Sequence, residues 1–437
     1  KAMAAAMEAR GLMTVVAPPG DLLEWKEAYP AGGLVILADA WGTRDARFLG
    51  EAFSLARGLA PDLAASGAMG GALFATVSRL DGAFGFRGRG VAEPFDGGLA
   101  GLAKTAAVEW PGVVCRALDI APDWDDPAGI AEAAVAELLQ SGPVEVGLDR
   151  EDRWTLSVEP AAYPEGEPGL KPGDLVVATG GARGVTAACL SALAGKVPLT
   201  LLLLGRSPVP EPEPEWLASL IEPAGMKRAI LAHRWPDSRP TPAELEAAYR
   251  GYRNGREIAE NLRRLAAAGA TVRYESVDVR DPAAVGRVLD AARAEYGPVK
   301  ALFHGAGVLE DRLIVDKTPE QFARVFDTKV GGLEVLLDAL KEDPLSCLVL
   351  FSSVAARMGN RGQADYAMAN EVLNKIAQRT ALARPECRVL SLNWGPWDGG
   401  MVSPELRREF ARSGVSLIPV EAGAKSMVAE MAGSPGA

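Results

Sequence analysis

The chain has 437 residues, 48% of them hydrophobic and 24% charged, with a formal net charge of −11. That length suits two domains of roughly 150–250 residues, the acidity argues against nucleic acid as a partner because binding it needs a basic face, and no apolar run approaches the ~20 residues of a membrane span. Two histidines, His233 and His304, and four scattered cysteines (Cys115, Cys189, Cys347, Cys387) give no metal-ligand pattern and fit buried free thiols in a reducing, cytoplasmic setting.

The chain starts at Lys1 with no visible signal peptide and reads as a piece of something longer. In chain order, GLVILADA (33–40) and GALFATVSR (71–79) are strand-like. LAGLAKTAAVEWPGVVCRALDIAP (99–122) echoes LNKIAQRTALARPECRVLSLNWGP (373–396) as helix, turn and a strand sharing Cys-Arg-x-Leu. If Ser78 answers to Ser353, the position thirteen residues on is Val91, and no TGxxxG loop precedes it. The first part thus reads as a degenerate copy of the second. Residues 160–173 carry four prolines and three glycines, the chemistry of a stiff linker. The expected division is a structural subdomain at 1–165 and a second subdomain at 166–437.

After that linker, short apolar runs alternate with helical stretches. DLVVATGG (174–181), LTLLLLGRS (199–207), TVRYESVDV (271–279), KALFHGAG (300–307), LSCLVLFSS (345–353) and CRVLSLNWG (387–395) are six expected strands. Apolar strands separated by helices imply a parallel sheet covered on both faces, a doubly wound Rossmann-type fold. Residues 208–270 exceed what one crossover needs; their proline-rich start reads as a surface insertion, and helices follow from about Thr241.

FSSVAARMGNRGQADYAMANEVLN (351–374) is the most informative segment. A strand ending at Ser353, then a loop and a helix opening near Tyr366, points two hydroxyls into one cleft. Tyr366 can donate a proton to a carbonyl oxygen while Ser353 hydrogen-bonds it, provided a nearby cation lowers the phenol's pKa. TGGARGVT places Thr179, Gly180, Gly181, Arg183, Gly184 and Val185 between a strand and a helix, where backbone N–H groups approach a pyrophosphate; Thr186 stands at the usual third glycine. The second strand ends in Gly205, Arg206 and Ser207 rather than an acidic residue. Arg206, assisted by Arg183, suits a 2′-phosphate and so NADPH. Asp278 and Val279 end the third strand, where Asp278 accepts from an adenine amino group or caps the next helix. Gly305, Ala306 and Gly307 end the fourth beside His304, which reads as a packed residue. Lys329, in a helical stretch before the Ser353 strand, suits a buried cation. Pro396 lies in NWGPWDGGM, either a loop over nicotinamide or a turn with core tryptophans.

With these motifs in order, the chain resembles the ketoreductase domain of type I polyketide and polyunsaturated fatty acid synthases, members of the short-chain dehydrogenase/reductase superfamily. The resemblance rests on TGGARGV, LLLGRS, VDVRD, HGAGVL, Lys329 and FSSVAARMGNRGQADYAMAN. It implies that Tyr366 is the proton donor, that Ser353 orients the carbonyl, and that Lys329 and Asn370 complete a tetrad with their usual places exchanged. It implies NADPH as cofactor, a β-ketoacyl thioester on an acyl carrier protein as substrate, and other domains of one megasynthase as partners. Leu309, Glu310 and Asp311 stand where B-type domains carry Leu-Asp-Asp. With Met358 in place of a Trp, and Gln363 nearby, this implies the 3R product. The long insertion and GLAGLAKTAAVEWP favour the polyunsaturated fatty acid synthases. The competing reading is a non-catalytic structural module, against which the tetrad and glycine loop speak. Arg361, Arg407, Arg408 and Arg412 are candidates for a basic docking patch.

Overall fold

The computed structural model describes the chain except residues 20, 23–30, 41, 401, 403, 413 and 434–437. Short runs of Leu, Val and Ile bounded by glycine and proline form two sheets. The first comprises β1 (Gly33–Leu37), β2 (Leu73–Ser78), β3 (Val114–Ile120), β4 (Glu145–Leu148) and β5 (Arg153–Trp154), in the order β1-β2-β3-β4-β5. The first four are parallel and β5 is antiparallel to β4. Residues 149–152 are too few for a parallel crossover, which needs a dozen or more, and Asp149 closes the turn by accepting from the N–H groups of Glu151 and Asp152. The main helices of this half are α1 (Ala46–Ala68), α2 (Gly97–Glu109) and α3 (Pro127–Leu138). Among the described residues its strands follow chain order across the sheet with no reversal, so they form no switch-point crevice for a ligand. That is the form its degeneracy takes.

The second sheet is all parallel: β6 (Leu175–Thr179), β7 (Thr200–Gly205), β8 (Thr271–Ser276), β9 (Val299–His304), β10 (Cys347–Ser353) and β11 (Arg388–Trp394). Its order is β11-β10-β9-β6-β7-β8, reversing between β6 and β9, the doubly wound arrangement in which ligands sit beyond the strands' carboxyl ends at the reversal. All six strands match the expected runs. Its main helices are α4 (Gly184–Ala194), α5 (Pro242–Ala267), α6 (Pro282–Tyr296), α7 (Pro319–Phe326), α8 (Gly332–Ala339), α9 (Ala364–Ala383) and α10 (Val420–Glu430). In the insertion, Thr241 and Glu244 form a capping box that starts α5. Leu217, Met226, Ile230, Ala248 and Tyr249 give the insertion a small core of its own, while Ile258 and Leu265 of α5 join the core beside β6 and β7.

The two sheets are not separately cored. One apolar cluster runs from Leu34, Phe53 and Phe74 of the first half to Phe322, Leu350 and Met368 of the second. The seam is α2 against α9, and glycine allows the approach: a Cβ on Gly101 would lie 2.8 Å from the backbone of Ala367 and Met368. Buried charge crosses the same seam. Lys104 of α2 pairs with Glu145 at 2.6 Å and with Glu371 of α9 at 2.5 Å, and Arg357 pairs with both acids. Burial alone would raise the Glu371 pKa, but Lys104, Lys375 and Arg357 hold it well below the carboxylate range. Residues 155–174 form neither helix nor strand. All four cysteines are buried and free. Among the described residues no helix is long and apolar enough to cross a membrane and no cluster suits a metal.

Candidate active site

Beyond the strand ends at the switch point the structure gathers all four residues of the expected tetrad. Ser353 ends β10 and caps the short helix Val354–Met358, its Oγ accepting from the Ala355 N–H at 3.1 Å. Acceptance leaves the hydroxyl proton free to be donated. Tyr366 is the third residue of α9, and Asn370 follows one turn later on the same face. Burial raises the Tyr366 pKa, while hydrogen bonds from Asn370 and Ser353 draw it down. Asn370 Nδ2 donates to the Tyr366 carbonyl at 2.8 Å, and its Oδ1 is buried without a hydrogen-bond partner among the described residues. Such an orphaned acceptor marks a place for water or ligand.

Lys329 comes from a π-helical turn, Asp327–Gly331, between α7 and α8. Single π turns inside helices recur at functional sites because they re-aim a side chain. Lys329 Nζ donates to the Phe351 carbonyl at 2.7 Å and lies 5.5 Å from the centre of the Tyr366 ring. Burial pushes its ammonium down to about 7. His304 is a packed framework residue as expected, bonded to Thr179 Oγ1 at 3.1 Å and to the Lys329 carbonyl at 2.8 Å. Burial and the nearby Lys329 hold it down at about 3.

The glycine loop sits where β6 gives way to α4. Gly180 and Gly184 hold φ of +69° and +55°, conformations that favour glycine. A Cβ on Gly180 would lie 2.9 Å from the Gly305 carbonyl, and one on Gly181 would strike Leu190, Ala178 and Leu203 at 2.8–2.9 Å. Val185 lies beside Gly400 of the loop after β11. In that loop Pro396 accepts from the Ile418 N–H at 2.8 Å and Trp397 is buried, so it is a turn with a core tryptophan that also reaches the glycine loop. Arg206 is exposed and forms no ion pair with a described residue, and Ser207 accepts from the Tyr274 hydroxyl at 2.7 Å. Asp278 is held at about 2, chiefly by Arg280. It does not cap α6; Asp281 does, because its side chain reaches the Ala284 N–H. Gly307 stands against Lys329, a Cβ there lying 3.8 Å from Nζ.

Two expected cofactor residues have their side chains elsewhere. Thr179 is fully buried, and its hydroxyl accepts from the N–H groups of Gly305 and Ala306 at 3.1 and 3.0 Å. Val279 is buried against Gly332. Both are framework, and a cofactor could meet only their backbone. On the substrate side Gln363 Nε2 donates to both oxygens of Asp311 at 3.1 Å, and the Asp311 charge raises the Tyr366 pKa, so both residues border the tyrosine. Leu309 precedes Asp311 in the same loop, half-buried, whereas Met358 is 65% exposed. Arg407, one of the surface arginines, pairs with Asp398.

Three acidic groups at the site were not legible in the sequence. Glu257 of α5 accepts from Arg183 Nε at 2.8 Å and from the Gly184 N–H at 2.9 Å. Glu109 of α2 reaches the loops around Asp311 and Gln363. Asp365, beside Tyr366, pairs with buried Lys317 at 2.6 Å; burial raises its carboxyl to about 6 against the pull of Lys317. Their partners lie far along the chain, and only an aspartate or glutamate among many marks each position.

A reversal of strand order flanked by a glycine loop on one side and a Ser–Tyr–Lys cluster on the other defines a short-chain dehydrogenase/reductase-like Rossmann protein. The KR domain family profile matches residues 175–399, and the chain belongs to that family of ketoreductase domains. It is 36% identical over 412 residues to a polyunsaturated fatty acid synthase polypeptide of Thraustochytrium sp., covering 89% of this chain and 14% of that protein. It is 35% identical over 198 residues to mycoketide-CoA synthase of Mycobacterium tuberculosis, covering 44% of this chain and 4% of that one. The chain thus spans a small part of these relatives. Among solved structures, a C2-type ketoreductase from a modular polyketide synthase superposes with a TM-score of 0.72 at 20% identity, covering 99% of this chain and 86% of the other. The ketoreductase from the first module of phoslactomycin biosynthesis in Streptomyces sp. HK803 gives 0.67 at 25% identity, covering 96% and 86%.

Proposed function

We propose that this chain reduces a β-ketoacyl thioester, presented on the phosphopantetheine arm of an acyl carrier protein, to the β-hydroxyacyl thioester with NADPH, as one domain of a polyunsaturated fatty acid or polyketide synthase. The observation that carries this reading is the convergence of Ser353, Tyr366, Asn370 and Lys329 beside the glycine loop. The crevice suits a dinucleotide: Gly180 and Gly184 hold left-handed φ at the turn into α4, whose first N–H groups favour an anion. Gly180, Gly181, Gly184, Val185, Gly305, Ala306, Gly307 and Pro396 would line it. Arg183 and Arg206 would take the 2′-phosphate, with Ser207 and Asp278 toward the adenosine. Bound there, NADPH would supply the hydride for the β-carbon.

The protein's own residues manage the proton and the geometry. Ser353 and Tyr366 both donate toward the substrate carbonyl oxygen, and the Tyr366 proton moves to that oxygen as charge develops on it. Lys329, over the tyrosine ring, stabilises the phenolate that remains. Asn370 offers its unpartnered Oδ1 to a water that returns the proton. Asp311, fixed by Gln363, borders the acyl chain and supports the 3R product, with Leu309 and Met358 on the same side. In this reading residues 1–165 are a structural subdomain and 166–437 the catalytic one.

The test follows NADPH oxidation with a β-ketoacyl-N-acetylcysteamine thioester, comparing wild type with Tyr366→Phe, with chiral analysis of the product. Turnover lost in Tyr366→Phe, with cofactor binding kept, supports the assignment. A wild type that neither turns over nor binds NADPH moves the assignment to a non-catalytic structural module.

A further inference from the structure

Glu109 is the last residue of α2, in the half of the chain without the tyrosine or the glycine loop. Its carboxylate crosses to the other half. Oε2 accepts from the Ile314 N–H and Oε1 from the Gly362 N–H, each at 2.8 Å. These donors belong to separate segments of the second half. Residues 309–316 follow β9, and residues 359–363 lead into α9. Neither segment has helix or strand of its own, so beyond a few turn bonds within each, contacts from outside set how the two lie against one another.

Further bonds tie the two segments together at the tyrosine. Gly362, with φ of +80°, gives its N–H to Glu109 while its carbonyl accepts from the Arg312 N–H at 2.9 Å. Gln363 holds Asp311 through both carboxylate oxygens. Lys317, fully buried, donates to the Glu310 carbonyl at 2.6 Å and pairs with Asp365, whose carboxylate accepts the N–H of Tyr366 itself at 2.9 Å. Glu109 is the member of this set that comes from the other half of the chain, and one carboxylate receiving two backbone donors is a charge-assisted clamp.

We propose that Glu109 is a positioning residue for the reduction: it clamps segments 309–316 and 359–363 and so fixes Asp311 and Gln363 relative to Tyr366. The half that lacks the chemistry then contributes to its precision, a role that rests on the reductase reading above.

Glu109→Gln is nearly isosteric and turns an amide NH2 toward one of the two donors. The experiment combines amide hydrogen exchange with steady-state kinetics and chiral analysis. Exchange is expected to quicken in peptides covering 309–316 and 359–363 and to stay unchanged in 179–186. The KM for the thioester is expected to rise about tenfold, with loss of enantiomeric purity and NADPH affinity within about twofold of wild type. Unchanged exchange overturns the proposal, as does faster exchange with KM and enantiomer ratio intact, which would make Glu109 a structural staple only. If Glu109→Gln does not fold, Glu109→Asp, which keeps the charge and withdraws it by one methylene, is read the same way. Absence of turnover in the wild type would instead count against the reductase reading, and the exchange comparison alone would then decide whether the loops depend on Glu109.

Discussion

Thr186 fits at the third glycine position of the loop because residue 305 is itself glycine: a Cβ on Gly305 would lie 2.4 Å from Thr186 Oγ1 and 3.1 Å from the Thr179 carbonyl. The departure from the usual glycine pattern is thus absorbed across the switch point, at the end of β9. Gly305→Ala is expected to force the two strand ends apart, with overpacking of about 1–3 kcal/mol and a loss of NADPH affinity. Thr186→Gly in the same chain removes the closest clash and should restore most of both. A double-mutant cycle on cofactor binding and urea stability measures the coupling; additive effects would show that the two residues do not share the space.

Lys329 makes a distinct prediction about pH. Burial lowers its pKa from 10.5 to about 7. The folded protein therefore releases this proton near pH 7, while the unfolded chain keeps it until about pH 10.4. Between those values the unfolded state binds more protons, so Lys329 makes stability rise with pH, by up to about 1.4 kcal/mol per unit. Below about pH 7 the full penalty of burying the ammonium stands. Lys329→Met removes the penalty, so its stability relative to wild type is expected to be highest below about pH 7 and to decline toward about pH 10, while turnover is lost throughout. Urea unfolding of both proteins across that range is the check, and a constant difference would mean that Lys329 stays charged.

The six strands of the second half were legible because each is an apolar run bounded by turn residues, and the doubly wound class followed from their alternation with helices. Ser353, Tyr366 and Asn370 were legible for a local reason: a strand end and one helix face carry all three. Lys329 reads in the sequence as a buried cation of a helical stretch, but the π turn that aims it has no compositional signature. β4 and β5 were missed because SGPVEVGLDREDRW offers only four and two strand residues. The shared core was hidden for another reason. Glycine carries no packing signal in a sequence, and only the structure shows that Gly97, Gly98 and Gly101 let α2 press against Leu49, Ala367 and Lys375.

Glu257 occupies the position a cofactor phosphate would claim, on Arg183 and the first N–H of α4. A helix N-terminus favours an anion, and here the protein supplies one from its own insertion. On the NADPH reading, cofactor binding displaces this carboxylate or shares Arg183 with it. The Arg183–Glu257 pair is over a third exposed on each side, so its strength is about 0–1 kcal/mol. Glu257→Gln is accordingly expected to tighten NADPH binding by about two- to fivefold. It should leave NADH less affected, because NADH lacks the 2′-phosphate. Fluorescence titration with both cofactors tests this, and weaker NADPH binding in the variant would show instead that Glu257 orders the loop.

Glu371 joins the halves electrostatically. It is fully buried between Lys104 of α2 and Arg357 and Lys375 of the second half, with Glu145 of β4 as the other acid of the cluster. Glu371→Gln leaves three cations facing one carboxylate in a low-dielectric seam, and removing one partner from such a set costs about 3–5 kcal/mol. Because the apolar core is continuous across α2 and α9, the loss should not free one half from the other. Chemical unfolding is expected to show a single transition in the wild type, followed alike by tryptophan fluorescence and circular dichroism, and a single transition at lower denaturant in the variant. Two separated transitions in the wild type would mean that the seam is weaker than the cores it joins. The active-site loops held by Glu109 would then be expected to lose their anchor whenever the first half opens.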